Sequence, residues 1–173
     1  MRPFVLSLFL FIGLNMQAQT LKEILDAPFA SDLTVSNDGK TIAWVDNSAG
    51  ERNIFIAEGY SFSSVRQLTN YQDDQGVALS NLVFTADDNA IIYIRGNSKN
   101  RQGEPANPAL LQENTEQVIY MQSLNEADAI QIASGTSPSL SHNGSQLAFI
   151  KGGQVWLSDL TEPEPEAKPL FKV

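Results

Sequence analysis

The sequence contains no cysteine and one histidine, and it has few basic residues for its length. Without cysteine, disulfide frameworks, thiolate metal sites and a cysteine nucleophile are excluded. A single histidine, His142, cannot supply the ligand cluster of a usual zinc site. Lys and Arg number 11 against 20 Asp and Glu, which gives a formal net charge of -9. Because an acidic chain repels a phosphate backbone, we expect no nucleic-acid partner.

Motifs of common catalytic and cofactor sites are also missing. An α/β-hydrolase carries G-x-S-x-G on a strand-to-helix turn, and the nearest serine context, Gly135–Pro138, lacks the second glycine. No glycine-rich phosphate loop is present. The acidic pairs Asp73–Asp74 and Asp87–Asp88 lack the spacing of an EF-hand loop. We therefore predict no catalytic residue, no metal ligand and no cofactor, and we interpret His142 as a turn residue.

The first 18 residues have the order of a secretory signal peptide. Arg2 precedes an apolar run from Phe4 to Leu14, and a more polar stretch ends at the small residue Ala18. The run is shorter than the roughly 20 residues that a membrane-spanning helix needs. We predict cleavage after Ala18, export to the periplasm or the medium, and no membrane span after the signal is removed. The alternative is a buried N-terminal helix.

Residues 19–31 are predicted to form a short helix and a lead-in to the main domain. Thr20 and Glu23 have the spacing of a capping box. Three apolar residues between Thr20 and Pro28 fall on one helical face. Pro28 then ends the helix.

Three later segments align with one another without gaps. They are Val35–Val45, Phe84–Ile94 and Leu140–Ile150, and they begin 49 and 56 residues apart. Each runs from a strand end through Ser or Thr and a tight turn into an apolar strand. Every strand carries an aromatic residue at the same offset, and we expect all three aromatic side chains to be buried: Trp44, Tyr93 and Phe149.

Two more strand patterns follow each of these segments, so each repeat holds about four strands in about 50 residues. Such repeats are typical of β-propeller blades. The sequence predicts an all-β fold, a partial β-propeller of about three four-stranded blades at 32–78, 79–135 and 136–173. A β-sandwich is the alternative. The second repeat also carries a polar insertion, Gly96–Glu116, which is either functional or a tolerated surface loop.

The repeats resemble those of a known family. S-N-D-G-K-T-I-A-W-V and S-H-N-G-S-Q-L-A-F-I are similar to the S-P-D-G-K-x-I-A-F repeat of N-terminal propellers in the prolyl oligopeptidase family of serine peptidases. The signal peptide and the insertion resemble secreted bacterial members of the dipeptidyl- or acylaminoacyl-peptidase type. The resemblance covers about Leu21 to Val173, and Asn37, Ala86 and His142 stand where the family repeat has proline.

In that family, the propeller caps a C-terminal α/β-hydrolase domain, limits access to short peptides and holds none of the catalytic groups. The resemblance implies that this chain is a non-catalytic segment that gates or binds peptide substrates for such a domain. None of the hydrolase domain is present, which implies a fragment of a longer protein.

The alternative is an envelope or periplasmic propeller, similar to that of the Tol system, that binds or scaffolds a protein partner without peptidase activity. A closed propeller has at least four blades. Three blades would leave two open faces, so we expect the chain to self-associate.

Overall fold

The computed structural model describes residues 23, 27–72, 76–107, 116–162 and 165–171. Twelve β-strands in these ranges form three four-stranded antiparallel sheets, and within each sheet the strands lie in sequence order. The strands are β1 (Phe29–Val35), β2 (Thr41–Ser48), β3 (Glu51–Glu58), β4 (Ser64–Gln67), β5 (Leu79–Phe84), β6 (Ala90–Arg95), β7 (Val118–Ser123), β8 (Ala129–Ser134), β9 (Thr136–Leu140), β10 (Gln146–Lys151), β11 (Gln154–Asp159) and β12 (Ala167–Pro169). The predicted all-β array of three propeller blades is confirmed. We number the blades 1 to 3 in chain order.

Several predictions fall outside the described residues. These are the signal peptide at 1–18, most of the helix and lead-in at 19–31, the pair Asp73–Asp74, and the 108–115 part of the insertion. Within the ranges that the structure describes, no helix has the length and apolarity that a bilayer crossing requires.

The repeated sequence motif builds the turn between the first two strands of each blade. In blade 1, Ser36 Oγ donates to Asp38 Oδ1 at 2.8 Å and accepts from the Thr41 amide at 2.9 Å. The same two bonds recur in the other blades, through Thr85 with Asp87 and through Ser141 with Asn143. The turn residues lie outside the ladder of backbone hydrogen bonds between the strands, and these side chains bind their backbone amides instead. The repeat therefore has a structural role in each blade.

Each blade has two apolar faces, which we call its leading and trailing faces in the direction of the chain. The leading face carries a pair of aromatic residues directly opposed on the second and third strands: Trp44 and Phe55, Tyr93 and Tyr120, Phe149 and Trp156. The trailing face carries four apolar residues from the same strands: Ala43, Val45, Ile54 and Ile56 in blade 1; Ile92, Ile94, Ile119 and Met121 in blade 2; Ala148, Ile150, Val155 and Leu157 in blade 3.

The hydrophobic core lies between successive blades. The trailing face of blade 1 packs on the leading face of blade 2 in one cluster, and the trailing face of blade 2 packs on the leading face of blade 3 in a second. Adjacent residues of a strand point to opposite sides of the sheet, so one strand contributes to both neighbouring interfaces. This stacking of sheets explains why the middle of the second strand is a continuous apolar run in each blade.

The burial prediction for the three aligned aromatic residues is correct for two of them. Tyr93 and Phe149 are 0% and 1% exposed, but Trp44 is only half-buried. Trp44 has the same register position as the other two, opposite an aromatic partner on the next strand. Its leading face differs because no blade precedes blade 1 within the described residues.

Candidate functional site

The first strands of blades 1 and 2 pack against each other, and the turns that follow the first strands connect neighbouring blades. The Asn81 amide donates to Asp32 Oδ1 at 3.0 Å, which connects β5 to β1. The Asn37 amide also donates to Asp88 Oδ1 at 2.7 Å, which connects the turns that follow these strands. In blade 3, the turn residue Gly144 lies so close to Ala86 that an added Cβ would be 2.7 Å from the alanine Cβ. The turns that follow the first strands thus adjoin from blade to blade, and we call β1, β5 and β9 the inner edge.

Every strand of the inner edge is irregular at the same place. The pairing register shifts in all three blades, opposite the middle of the first strand. The residues at the shifts have positive φ angles, 50° at Asp32, 57° at Asn81 and 54° at Ser137. Such backbone is uncommon outside glycine and costs about 1 to 3 kcal/mol per residue. Bulges of this kind redirect side chains and concentrate beside functional sites.

The inner edge exposes both polar side chains and backbone. Asp32, Asn81 and Ser137 are all exposed, and two apolar side chains beside them, Leu33 and Val83, are 73% and 37% exposed. Each first strand is also the terminal strand of its sheet. A terminal strand presents a row of N–H and C=O groups that its own sheet does not pair, and an extended peptide can bind to such a row.

Blades 2 and 3 are separated by a groove at each end of the inner edge, and the two grooves differ in charge. At the turn end, a groove of about 440 Å³ is lined by the carboxylates of Asp87, Glu126 and Asp128. The hydrogen bond from Thr85 is the main cause that lowers the pKa of Asp87. This carboxylate is therefore ionised at neutral pH, and the turn end is negative.

The opposite groove, of about 420 Å³, is lined by Lys99, Lys151 and Glu116 and by the backbone of Gly152 and Gly153. The Lys151 ammonium lies 5.0 Å from the centroid of the Trp156 ring. This cation–π contact holds the charge at the end of β10. We call this the lysine end. The β9 strand runs from the lysine end, near Gly135 and Thr136, to the turn end.

The base of the insertion is an ordered part of the lysine end. An added Cβ on Gly96 would contact the Glu116 carbonyl and the Gln117 backbone, so the two ends of the insertion meet at this glycine. Asn97 Nδ2 donates to the carbonyls of Gly76 and Ala106, and its Oδ1 accepts from the Ala78 amide. The insertion is thus tied to the linker between blades 1 and 2.

The sequence-predicted polar residues do not form a catalytic group. His142 is exposed in the turn of blade 3, and the adjacent Ser141 hydroxyl donates to Asn143 at 2.8 Å. The Asp88 carboxylate accepts from the amides of Asn37 and Asp38. Across the described ranges, no three His, Asp or Glu side chains are grouped so that they could hold a metal ion. The bulge residues were not predicted, because Asp32, Asn81 and Ser137 share no residue type.

Comparison with known proteins gives similarity at the level of structure alone. No known family profile matches the sequence, and no curated protein sequence matches it. A prolyl endopeptidase structure aligns at 17% identity with a TM-score of 0.53 and covers 84% of this chain. Prolyl oligopeptidase B from Galerina marginata aligns at 12% identity with a TM-score of 0.54 over 84% of this chain. An acylaminoacyl peptidase from Pyrococcus horikoshii aligns at 13% identity with a TM-score of 0.50 over 83% of this chain.

These alignments fall on the propeller regions of the peptidases. The chain has the fold of a peptidase propeller segment. It spans 22%, 23% and 25% of the three neighbours' own lengths. At such low sequence identity the likeness is one of fold.

Proposed function

We propose that this propeller segment is non-catalytic and binds short peptide substrates for a serine peptidase whose α/β-hydrolase domain is not part of this sequence. The observation that carries the proposal is the inner edge, where three terminal strands expose backbone and polar side chains at equivalent bulges. The fold of the neighbouring prolyl peptidases, whose propellers accompany a hydrolase domain, supports the same assignment.

The opposite charges of the two grooves favour one orientation of the peptide. A peptide that pairs antiparallel with β9 would place its ammonium group at the turn end, near Asp87, and its carboxylate at the lysine end. The β9 strand has 5 residues, and a strand rises about 3.3 Å per residue. A peptide of about five residues would therefore reach both ends.

We also propose that the protein acts outside the cytoplasm. The support is the order of charge, apolar run and small residue in positions 1–18. An exported propeller segment would meet peptides of the periplasm or the medium.

The proposal is tested by titrating the protein with a pentapeptide and following binding by calorimetry. We compare the peptide with free termini, its N-acetylated form and its C-amidated form. We expect the free peptide to bind most tightly, because each blocked terminus loses one charge pairing. Lys151→Gln should weaken the free peptide and leave the C-amidated form nearly unchanged. Lys168→Gln is the matched control, because Lys168 is 77% exposed and paired with Glu166 on the outer strand.

Failure of all three peptides to bind at millimolar concentration would refute peptide recognition by this chain. Equal loss of affinity in Lys151→Gln and Lys168→Gln would refute the assigned site, since it would reflect net charge alone. Binding that is indifferent to both blocked termini would refute the proposed orientation.

A further inference from the structure

We propose that the groove at the lysine end binds an aromatic side chain, so that the preferred peptide ligand ends in an aromatic residue. The inference rests on the proposed peptide function and names the class of peptide that this site would select. It comes from a different observation, which is that the junction between blades 1 and 2 contains the same kind of site with a tyrosine of this chain in it.

The two junctions between blades differ in the length of chain that connects them. Residues 68–78 lie between β4 and β5, whereas Gly135 alone lies between β8 and β9. The junction between blades 2 and 3 therefore has no counterpart of the longer linker.

At the junction between blades 1 and 2, the linker residue Tyr71 fills the space between the blades. Its hydroxyl shares a hydrogen bond of 2.6 Å with the Tyr93 hydroxyl, and the Arg95 guanidinium carbon lies 4.6 Å from the centroid of its ring. Asn53 fastens the backbone here, since its Oδ1 accepts from the Tyr71 amide at 2.7 Å and its Nδ2 donates to the Tyr71 carbonyl at 3.0 Å. The cavity beside Tyr71 is only about 20 Å³.

The junction between blades 2 and 3 repeats the surface that receives Tyr71. Lys151 directly follows the third aligned sequence segment, as Arg95 follows the second, so both blades place a cation at this point. Gly135 stands where blade 2 has Leu79, and a groove of about 420 Å³ lies beside it. Within the part of the chain that the structure describes, the space that Tyr71 fills at the first junction is therefore open at the second.

The internal anchor of the first junction is replaced at the second. In the β6–β7 register, Val118 has the position that Asn53 has in the β2–β3 register. Valine has no polar side-chain atom, so this side chain cannot fasten a chain segment as Asn53 does. The second junction keeps the cation that contacts the ring and lacks the anchor, which favours an occupant from another molecule.

The two lysines of the groove suit the two ends of a C-terminal aromatic residue. The Lys151 ammonium lies 5.0 Å from the centroid of the Trp156 ring, and a ligand ring in the groove would meet the same cation as Tyr71 meets Arg95. Lys99 lines the groove from the insertion and would face the peptide carboxylate. An exposed cation–π contact should raise affinity about 2- to 5-fold.

The test is calorimetric titration of the protein with pentapeptides that have free termini and differ only in the last residue. The last residue is phenylalanine, cyclohexylalanine or serine. We expect phenylalanine to bind about 2- to 5-fold more tightly than cyclohexylalanine, which has a similar shape and no aromatic ring, and serine to bind most weakly. A peptide with phenylalanine first and serine last should bind like the serine peptide.

Lys151→Met removes the charge and keeps an apolar stem, so the ratio of the phenylalanine and cyclohexylalanine affinities should fall to about one. The ratio is informative because both peptides carry the same carboxylate. Lys168→Met is the matched control on the outer strand, where Lys168 is 77% exposed, and it should leave the ratio unchanged. Circular dichroism checks that both variants are folded, which the exposure of Lys151 favours.

N-acetylphenylalanine separates this inference from the proposed peptide function, because it carries the ring and the carboxylate without a peptide strand. If it binds to the protein and binds less well to Lys151→Met, the groove is supported even where no pentapeptide binds. Pentapeptides that bind equally well whatever their last residue would overturn the aromatic site and leave peptide binding intact. Equal affinities for phenylalanine and cyclohexylalanine, or the same change of ratio in Lys168→Met, would overturn the role of the Lys151 cation. Absence of binding by every one of these ligands would overturn both proposals.

Discussion

Replacement of Phe149 by alanine tests the blade stacking most directly when it is compared with Trp44→Ala. The two residues occupy the same register position in blades 3 and 1, each opposite an aromatic partner. Phe149 is 1% exposed and packs in the cluster between blades 2 and 3, whereas Trp44 is half-buried. The two variants therefore differ in whether a preceding blade covers the residue, while its register position in the sheet is the same.

The structure sets the size of each effect. The Phe149 ring is tightly confined, since a Cβ added to Gly135 would lie 2.5 Å from its Cδ2 atom. A site held this closely cannot collapse around a cavity, so Phe149→Ala should lower the free energy of unfolding by about 3 to 5 kcal/mol. Trp44 already exposes part of its ring, and we expect Trp44→Ala to cost about 1 to 2 kcal/mol.

The assay is guanidinium unfolding followed by circular dichroism, with the slope of the transition compared between variants. It is carried out at concentrations at which the protein is monomeric, because self-association would bury exposed apolar surface. Equal losses in the two variants, or a larger loss for Trp44→Ala, would show that the leading face of blade 1 is covered in the monomer. Either result would refute the assignment of open and covered faces.

Three further outcomes are expected. The hydrogen bond from Lys40 is the main cause that lowers the pKa of Asp38 from its ordinary value of 3.8 to about 2, so its stabilising effect is complete above pH 3.8 and is lost as the pH falls toward about 2. As the pH falls from 3.8 to about 2, the free energy of unfolding should therefore decrease less in Asp38→Asn than in the unaltered protein. N-terminal sequencing of the exported protein should give Gln19 as the first residue, and a mature chain that begins at Met1 would contradict the signal-peptide prediction. Purified residues 19–173 should not hydrolyse chromogenic Xaa-Pro or acyl-aminoacyl substrates, and activity that disappears in His142→Ala would contradict this.

The sequence was sufficient to predict the blades because their signals are local. Each Ser or Thr bonds to an Asp or Asn two residues later, so the turn motif is readable within a few positions. The aromatic residues stand at fixed offsets from those turns. The burial of Trp44 could not be predicted in the same way, because it depends on whether another blade covers the face.

The bulges of the inner edge could not be predicted from the sequence for a different reason. Asp32, Asn81 and Ser137 differ in size and charge, and their positive φ angles come from the shifted pairing with the second strand. The turn of blade 2 is a related case. Asp88 has a positive φ of 56° where blades 1 and 3 have glycine, and its carboxylate accepts two backbone amides from the turn of blade 1. These two hydrogen bonds between blades offset the cost of the positive φ angle at Asp88. The sequence alone shows only an unfavourable turn residue at this position.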